Sequence, residues 1–308
     1  MNKRVLSLTL LLACLGLMTM QAEGRKVESF NSGWSFKKAP AEKELAINAP
    51  KWDKGWSEVE IPHTWNAKDM QVQANSFYEG AAYYKKQYFF PAELKDKNVF
   101  LRFAGVQALH RLTVFKSLGI GFEGVGSCAE VFVNGMLVTS HKGGYSAFAC
   151  EISPLLKAGE ENEIIVKADN KSRPDVIPVN HNLFGVYGGI YRPVWLVVTE
   201  PCNISVTDCA SPGVYVTQKN VSKKQADVKV KVKLDNGTLQ PVPVTLQNTI
   251  YDQEGKQVAT HSQSFELSAQ GEQAYESSFT IKKPTLWQGR ENPYLYKVVS
   301  RLIKDGQV

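Results

Sequence analysis

The chain has 308 residues, enough for two ordinary domains that each bury a core. With 43% hydrophobic and 21% charged residues it has the composition of a folded soluble protein, not a disordered or fibrous one. Its net charge of +6 drops to +4 when Lys3 and Arg4 leave with the leader (residues 1–22, which hold no acidic residue), and so small an excess argues against a nucleic-acid partner.

The opening "MNKRVLSLTLLLACLGLMTMQA" has a basic start, an apolar run from Val5 to Met20 and a small residue at Ala22, which is the pattern of a signal peptide over residues 1–22. Cleavage after Ala22 fits the continuous apolar run best, while "LLAC" allows a second reading in which Cys14 carries a lipid. No later stretch approaches the roughly 20 apolar residues of a spanning helix. The sequence therefore predicts an exported protein, periplasmic or extracellular, soluble or anchored through Cys14. Cys128, Cys150, Cys202 and Cys209 remain; their spacing specifies no disulfide pairing, and without a CxxC pair no metal knuckle is implied.

Nearly every segment that follows alternates with a period of two, as half-buried strands do. "FAGV" at Phe103–Val106 recurs as "FEGV" at Phe122–Val125, and the intervening residues 107–121 interrupt a strand as an insert. "AEVFVNGMLV" predicts a hairpin closed by Asn134-Gly135 in a type I′ turn. "EISPLLKAGE" predicts one helical turn with Ser153 as N-cap and Pro154 at the first position, ending near Gly159. A boundary falls in "TEPCNIS", Thr199–Ser205. Beyond it "DVKVKVKL" puts Val228, Val230, Val232 and Leu234 on a core face and Lys229, Lys231 and Lys233 on a solvated one, and "YDQEGKQV" predicts a hairpin turning at Gly255. Scarce helix signals and many short strands predict an all-β protein of antiparallel sandwiches.

The chemistry is best narrowed by elimination. The histidines at 63, 110, 141, 181 and 261 have no HxH or HExxH spacing, GxSxG and GxxxxGK[ST] are absent, and the carboxylates select no acid/base pair. No catalytic residue, metal or cofactor is expected. Sugars present C–H patches beside hydroxyls and call for aromatic faces with short polar groups. Two glycine-bearing stretches combine these, "NSFYEGAAYY" at Asn75–Tyr84 and "NHNLFGVYGG" at Asn180–Gly189. Taken singly, Tyr78, Tyr187 and Trp195 read as packing residues.

The segments "FNSGWSFKK", "WSEVEIPHTWNAKD", "FYEGAAYYKKQYFFP", "VFLRFAGV", "AEVFVNGMLVTSHKGGYSAFACEISPLLKAGEENEIIVKADN", "NLFGVYGGIYRPVWLVV" and "PTLWQGRENPYLYKV" resemble, in order and spacing from about Val27 to Val308, the amino-terminal half of glycoside hydrolase family 2. That family includes β-galactosidases, β-glucuronidases and β-mannosidases. The resemblance implies a jelly-roll, galactose-binding-like sugar-binding domain over residues 23–200, then an immunoglobulin-like sandwich over 201–308, truncated at its C-terminal end. A (β/α)₈ barrel, roughly 250 residues, follows in such proteins. It carries the acid/base and nucleophile glutamates of a retaining glycosidase, about 5 Å apart. Neither glutamate has a counterpart in this sequence.

The resemblance also implies roles. Asn180, His181 and Asn182 are the expected sugar-facing residues with Tyr187, and Asn75 and Glu79 are weaker candidates because Phe77 and Tyr78 stand before Gly80. Gly188 and Gly189 would supply a turn, Arg192 would pair with an internal acidic group, Trp195 would build the strand with its neighbours, and Pro193 would mark an edge or bulge. The implied partners are a β-linked carbohydrate and the barrel of full-length relatives; self-association is left open. The expected function is the non-catalytic, substrate-side portion of an exported β-galactosidase-like enzyme. A stand-alone carbohydrate-binding module and an inactive interaction fragment are the alternatives. The strand in "LYKVVSRLI" would leave one edge of the second sandwich unpaired.

Overall fold

A computed structural model describes residues 24–39, 54–69, 77–104, 127–177, 179 and 186–308. The repeat "FEGV" and the insert 107–121 lie outside them.

The first sandwich sets two antiparallel sheets face to face. Six strands form one, in the order β3 (Ser57–Val59), β2 (Trp34–Lys38), β4 (Ala81–Phe90), β9 (Glu160–Asp169), β6 (Cys128–Val133) and β7 (Met136–Lys142). The other orders β1 (Lys26–Ser29), β10 (Val194–Thr199), β5 (Asn98–Phe103) and β8 (Phe148–Glu151). Alternation puts Trp34, Tyr84, Val131, Ile164 and Val166 of the first sheet against Val99, Leu101, Val194 and Leu196 of the second. β4 is buried on both faces at its start: Ala81 and Tyr83 point the other way, into a smaller cluster with Ala39 and Ile165 that Trp56 covers. Lys85 lies 4.7 Å from the Trp56 ring centroid, so the cover is amphipathic.

Asn134 (φ 50°) and Gly135 (φ 80°) both have positive φ and join β6 to β7 in the expected type I′ turn. The helical signal at 153 resolves differently. Ser153–Leu155 form a single 3₁₀ turn whose cap position is Ile152, and the Ser153 hydroxyl accepts from Val99 N (2.7 Å). The serine therefore satisfies a β-strand amide instead of a helix end. Pro193 sits just before β10, an interior strand, not at an edge or bulge; its carbonyl accepts from Ala104 N (3.1 Å), and lacking an N–H costs nothing because the ladder starts at Val194.

The second sandwich is organised by β13 (Gln225–Asn236). β11 (Cys202–Ile204) and β12 (Val214–Lys219) share one of its edges, and β16 (Gly271–Lys282) takes the other. The facing sheet orders β15 (Gln257–Leu267), β14 (Val242–Tyr251) and β17 (Lys297–Ile303). Val228, Val230, Val232 and Leu234 are buried against Val244, Leu246 and Ile250. The lysine face is only partly solvated: Lys229 pairs with Glu276 (2.8 Å), and Lys233, more covered, with Asp208 and Glu272 (both 2.8 Å). Gly255 (φ 83°) turns β14 into β15. Among the described residues no strand pairs with the second edge of β17, and Asp305 (φ 51°) and Gly306 (φ 77°) turn the chain back beyond it, with Lys304 N donating to Gln307 O (2.8 Å).

Residues 205–213 pack back on the first sandwich. Val206, 2% exposed, joins Phe100 and Val197 beneath Trp195. Arg25 donates to Ile204 O, and Arg102 Nε donates to Ala210 O (2.8 Å). Burial lowers the pKa of both guanidiniums, which spend their charge on backbone carbonyls.

Candidate functional site

β4 begins and β9 ends at the same end of the first sandwich, because Ala81 is paired with Asp169. Two further segments reach that end, the run 61–69 and the approach to β10 at 186–190. Four backbone segments meeting in little space leave amides and carbonyls that no ladder can pair, and two fully buried asparagines satisfy them. Asn170 Nδ2 donates to Val186 O (3.0 Å), Tyr78 O (3.2 Å) and Asn66 Oδ1 (3.2 Å), while its Oδ1 accepts from Gly80 N (2.9 Å). Asn66 Oδ1 also accepts from Gly188 N (2.8 Å), and Asn66 Nδ2 donates to the Asp69 carboxylate (3.0 and 3.1 Å). Asp69 Oδ2 accepts in turn from Tyr78 N (3.0 Å).

The glycine pair lies against this network. Gly188 O accepts from Thr64 Oγ1 (2.8 Å) and Ile190 O from His63 N (2.8 Å), so residues 188–190 run alongside 63–65. A Cβ on Gly188 would sit 1.9 Å from Cζ2 of Trp65; one on Gly189 (φ 119°) would sit 2.5 Å from His63 O. Close approach to residues 63–65 demands glycine at both positions, and at Gly189 the positive φ of a bend in the chain adds to it. Trp65 is stacked on Phe36 (centroids 6.0 Å) and donates to Tyr78 O (3.3 Å). His63 Nδ1 lies 2.7 Å from the Tyr84 hydroxyl, which accepts from Ile190 N (3.3 Å). Burial holds the Tyr84 phenol far above its usual range and the His63 imidazole below its own, Lys38 adding to the latter, so both stay neutral near pH 7.

The expected site residues divide. Tyr187 is 49% exposed and Glu79 is exposed, both beside the asparagine network, with Glu79 accepting from Ser172 N (3.3 Å). Tyr187 is thus not a packing residue, whereas Tyr78 is: it donates to Ala81 O (2.9 Å) from a half-buried position. Trp195 packs over Phe100 and Val206, and the Arg192 guanidinium lies 6.0 Å from the Tyr191 ring centroid, its pKa lowered by burial. Asn180, His181, Asn182 and Asn75 lie outside the described residues. Sequence reasoning missed Asn66, Asp69 and Asn170; the available signal was a polar residue at the end of an apolar strand, as in "VKADN". Among the described residues no group of three or more His, Cys, Asp or Glu side chains could hold a metal ion.

An exposed tyrosine and carboxylate on a rigid polar base, at one end of a jelly roll, is an arrangement suited to a hydroxylated ligand. Comparison with known proteins bears on what that ligand is. The "Glycosyl hydrolases family 2, sugar binding domain" profile matches residues 27–201, and the "Glycosyl hydrolases family 2" profile matches 212–308. The chain belongs to glycosyl hydrolase family 2. Similar family members include a β-glucuronidase of Bacteroides fragilis, 36% identical over 253 residues, a match that covers 81% of this chain and 33% of that protein. A crystal structure of a provisionally named β-galactosidase from Bacteroides fragilis is 64% identical with a TM-score of 0.83, covering 92% of this chain and 40% of that one. A β-glucuronidase of Bacteroides uniformis superposes with a TM-score of 0.78 at 28% identity, covering 91% of this chain and 30% of that one. The chain therefore spans about a third of the length of the curated glycosyl hydrolase family 2 relatives it matches.

Proposed function

We propose that this chain forms the substrate-side, non-catalytic part of an exported β-glycosidase, β-galactosidase-like in its sugar preference, whose bond-breaking carboxylates lie outside these residues. The observation that carries the reading is the match of the sugar-binding profile to residues 27–201, whose one end presents Tyr187 and Glu79 over the Asn66–Asn170 network. The tyrosine face suits a pyranose C–H patch, and the carboxylate suits its hydroxyls. The preference for galactoside rests on the 64% identical relative, and export rests on the leader-like residues 1–22.

Titrating the ¹⁵N-labelled chain with lactose and with phenyl β-glucuronide tests this reading. Amide shifts should change at Glu79, Tyr187 and Gly188, more with lactose, and neither lactose nor 4-nitrophenyl β-galactoside should be hydrolysed. Turnover that one carboxylate substitution abolishes, or shifts confined to the second sandwich, would overturn it.

A further inference from the structure

The two buried asparagines do more than fill a polar gap. Each is 0% exposed, and between them they touch four segments distant in sequence: Asn66 holds 69, 78 and 188, and Asn170 holds 78, 80 and 186. The exposed groups proposed to meet sugar stand next to these anchor points, Glu79 between Tyr78 and Gly80, and Tyr187 between Val186 and Gly188. We propose that Asn66 and Asn170 are positioning residues of the sugar end, which fix the spacing between Glu79 and Tyr187. This rests on the reading above that the end binds sugar.

The two residues that meet ligand belong to different segments, and no strand ladder pairs those segments directly. Their separation is set through the amide pair: Gly80 N and Tyr78 O on one side, Val186 O and Gly188 N on the other, with Asn66 Oδ1 and Asn170 Nδ2 3.2 Å apart in the middle. A carboxamide suits the task because it donates and accepts in fixed directions, and a carboxylate cannot replace it here. Asn170→Asp keeps the acceptor for Gly80 N but turns an oxygen toward Tyr78 O, Val186 O and Asn66 Oδ1.

The molecule supplies its own control. Asn162 is also 0% exposed and makes a matching set of bonds: Nδ2 donates to Glu160 O (2.9 Å), Lys157 O (3.1 Å) and Tyr88 O (3.5 Å), and Oδ1 accepts from Lys157 N and Asn134 Nδ2 (both 2.8 Å). It lies eight residues before Asn170 along β9, about 26 Å away at the opposite end of the sandwich. Asn162→Asp removes a comparable set of buried donors without touching the sugar end.

The experiment compares Asn170→Asp, Asn66→Ser and Asn162→Asp in the full chain, reading melting temperature, the amide resonances of Gly80, Tyr187 and Gly188, and their shifts on titration with lactose and phenyl β-glucuronide. At similar melting temperatures, Asn170→Asp should weaken sugar response by at least about tenfold and move all three resonances, whereas Asn162→Asp should leave both unchanged. Asn66→Ser decides the matter if Asn170→Asp fails to fold. Equal losses in the variants at positions 170 and 162, or a sugar response preserved in the variants at 66 and 170, would overturn the proposal. If the unmutated chain answers neither sugar, the functional reading fails, and the resonances alone decide whether the pair positions the two segments: it does if only the variants at 66 and 170 move them.

Discussion

Replacing Gly188 by alanine puts a methyl group where the Trp65 indole already lies. The added carbon would be 1.9 Å from Cζ2 and 2.1 Å from Cε2, where carbon–carbon contacts rest at about 3.5–4.0 Å. Neither side can yield cheaply. Trp65 is 8% exposed, stacked on Phe36 and bonded to Tyr78 O, while Gly188 is fixed through its carbonyl by Thr64 and through its amide by Asn66. Overpacking of this kind costs about 1–3 kcal/mol, and a displaced indole loses its bond to Tyr78 O, a carbonyl that keeps the Asn66 and Asn170 amides, for about 0.5–1.5 more, so about 1.5–4.5 kcal/mol is expected. Against a typical domain stability of about 5–15 kcal/mol that is a large fraction, equivalent to roughly 10 °C in melting temperature. Gly255→Ala is the reference, since its Cβ meets nothing within 4 Å and only its φ of +83° opposes alanine, at about 1 kcal/mol. Urea unfolding followed by tryptophan fluorescence and circular dichroism measures both. If Gly188→Ala costs no more than Gly255→Ala, the close-approach explanation of the glycine pair is wrong.

Burial lowers the folded-state pKa of both His63 and His141, so the unfolded chain binds protons more readily than the folded one. Their contribution is complete above the unfolded value of about 6.5 and is lost as pH falls through the folded values; the melting temperature should drop from pH 7 to 5, and the double variant His63→Gln/His141→Gln should flatten that slope. Thiol labelling of residues 23–308 with a disulfide reagent should give a fast phase removed by Cys209→Ser, the exposed one among the described cysteines, while Cys150, buried and with its thiol pushed up to about 12, should react only on unfolding; a fast Cys150 would contradict the packing of β8. Val206→Asp sets a charge among Phe100, Val197 and Trp195 and should split a single calorimetric transition into two, one for each sandwich; a single transition would show that the arginine contacts suffice to couple them.

The parts of the fold legible in the sequence are those governed by neighbours in sequence. The valine–lysine alternation of β13 and the Asn134-Gly135 pair each carry their cause within a few residues, so the strand and the hairpin follow directly. The order of motifs gave the family and the sandwich architecture. What escaped depends on partners far along the chain. Gly188 answers to Trp65, Asn170 to Asn66 and Val186, and Ser153 to Val99; nothing local distinguishes an asparagine that ties four segments from one in a solvated loop. Tyr187 and Tyr78 look alike in sequence, yet one is solvent-facing and the other bonded into the core, because only the sheet pairing decides which face of each segment is covered.

β11 and β12 lie end to end on one edge of β13, pairing Ile204 with Leu234 and Val214 with Val232. Residues 205–213 are thus an excursion from what is nearly one continuous strand, and its two ends are pinned close together whatever happens between them. Lengthening such an excursion is entropically mild, about 0.6 kcal/mol per doubling. Yet this segment carries Val206 and the carbonyl that Arg102 holds. The angle between the two sandwiches can therefore be rewritten through a handful of positions while both β-cores keep their register, which makes this the natural place for lineages, or engineers, to re-aim one module against the other.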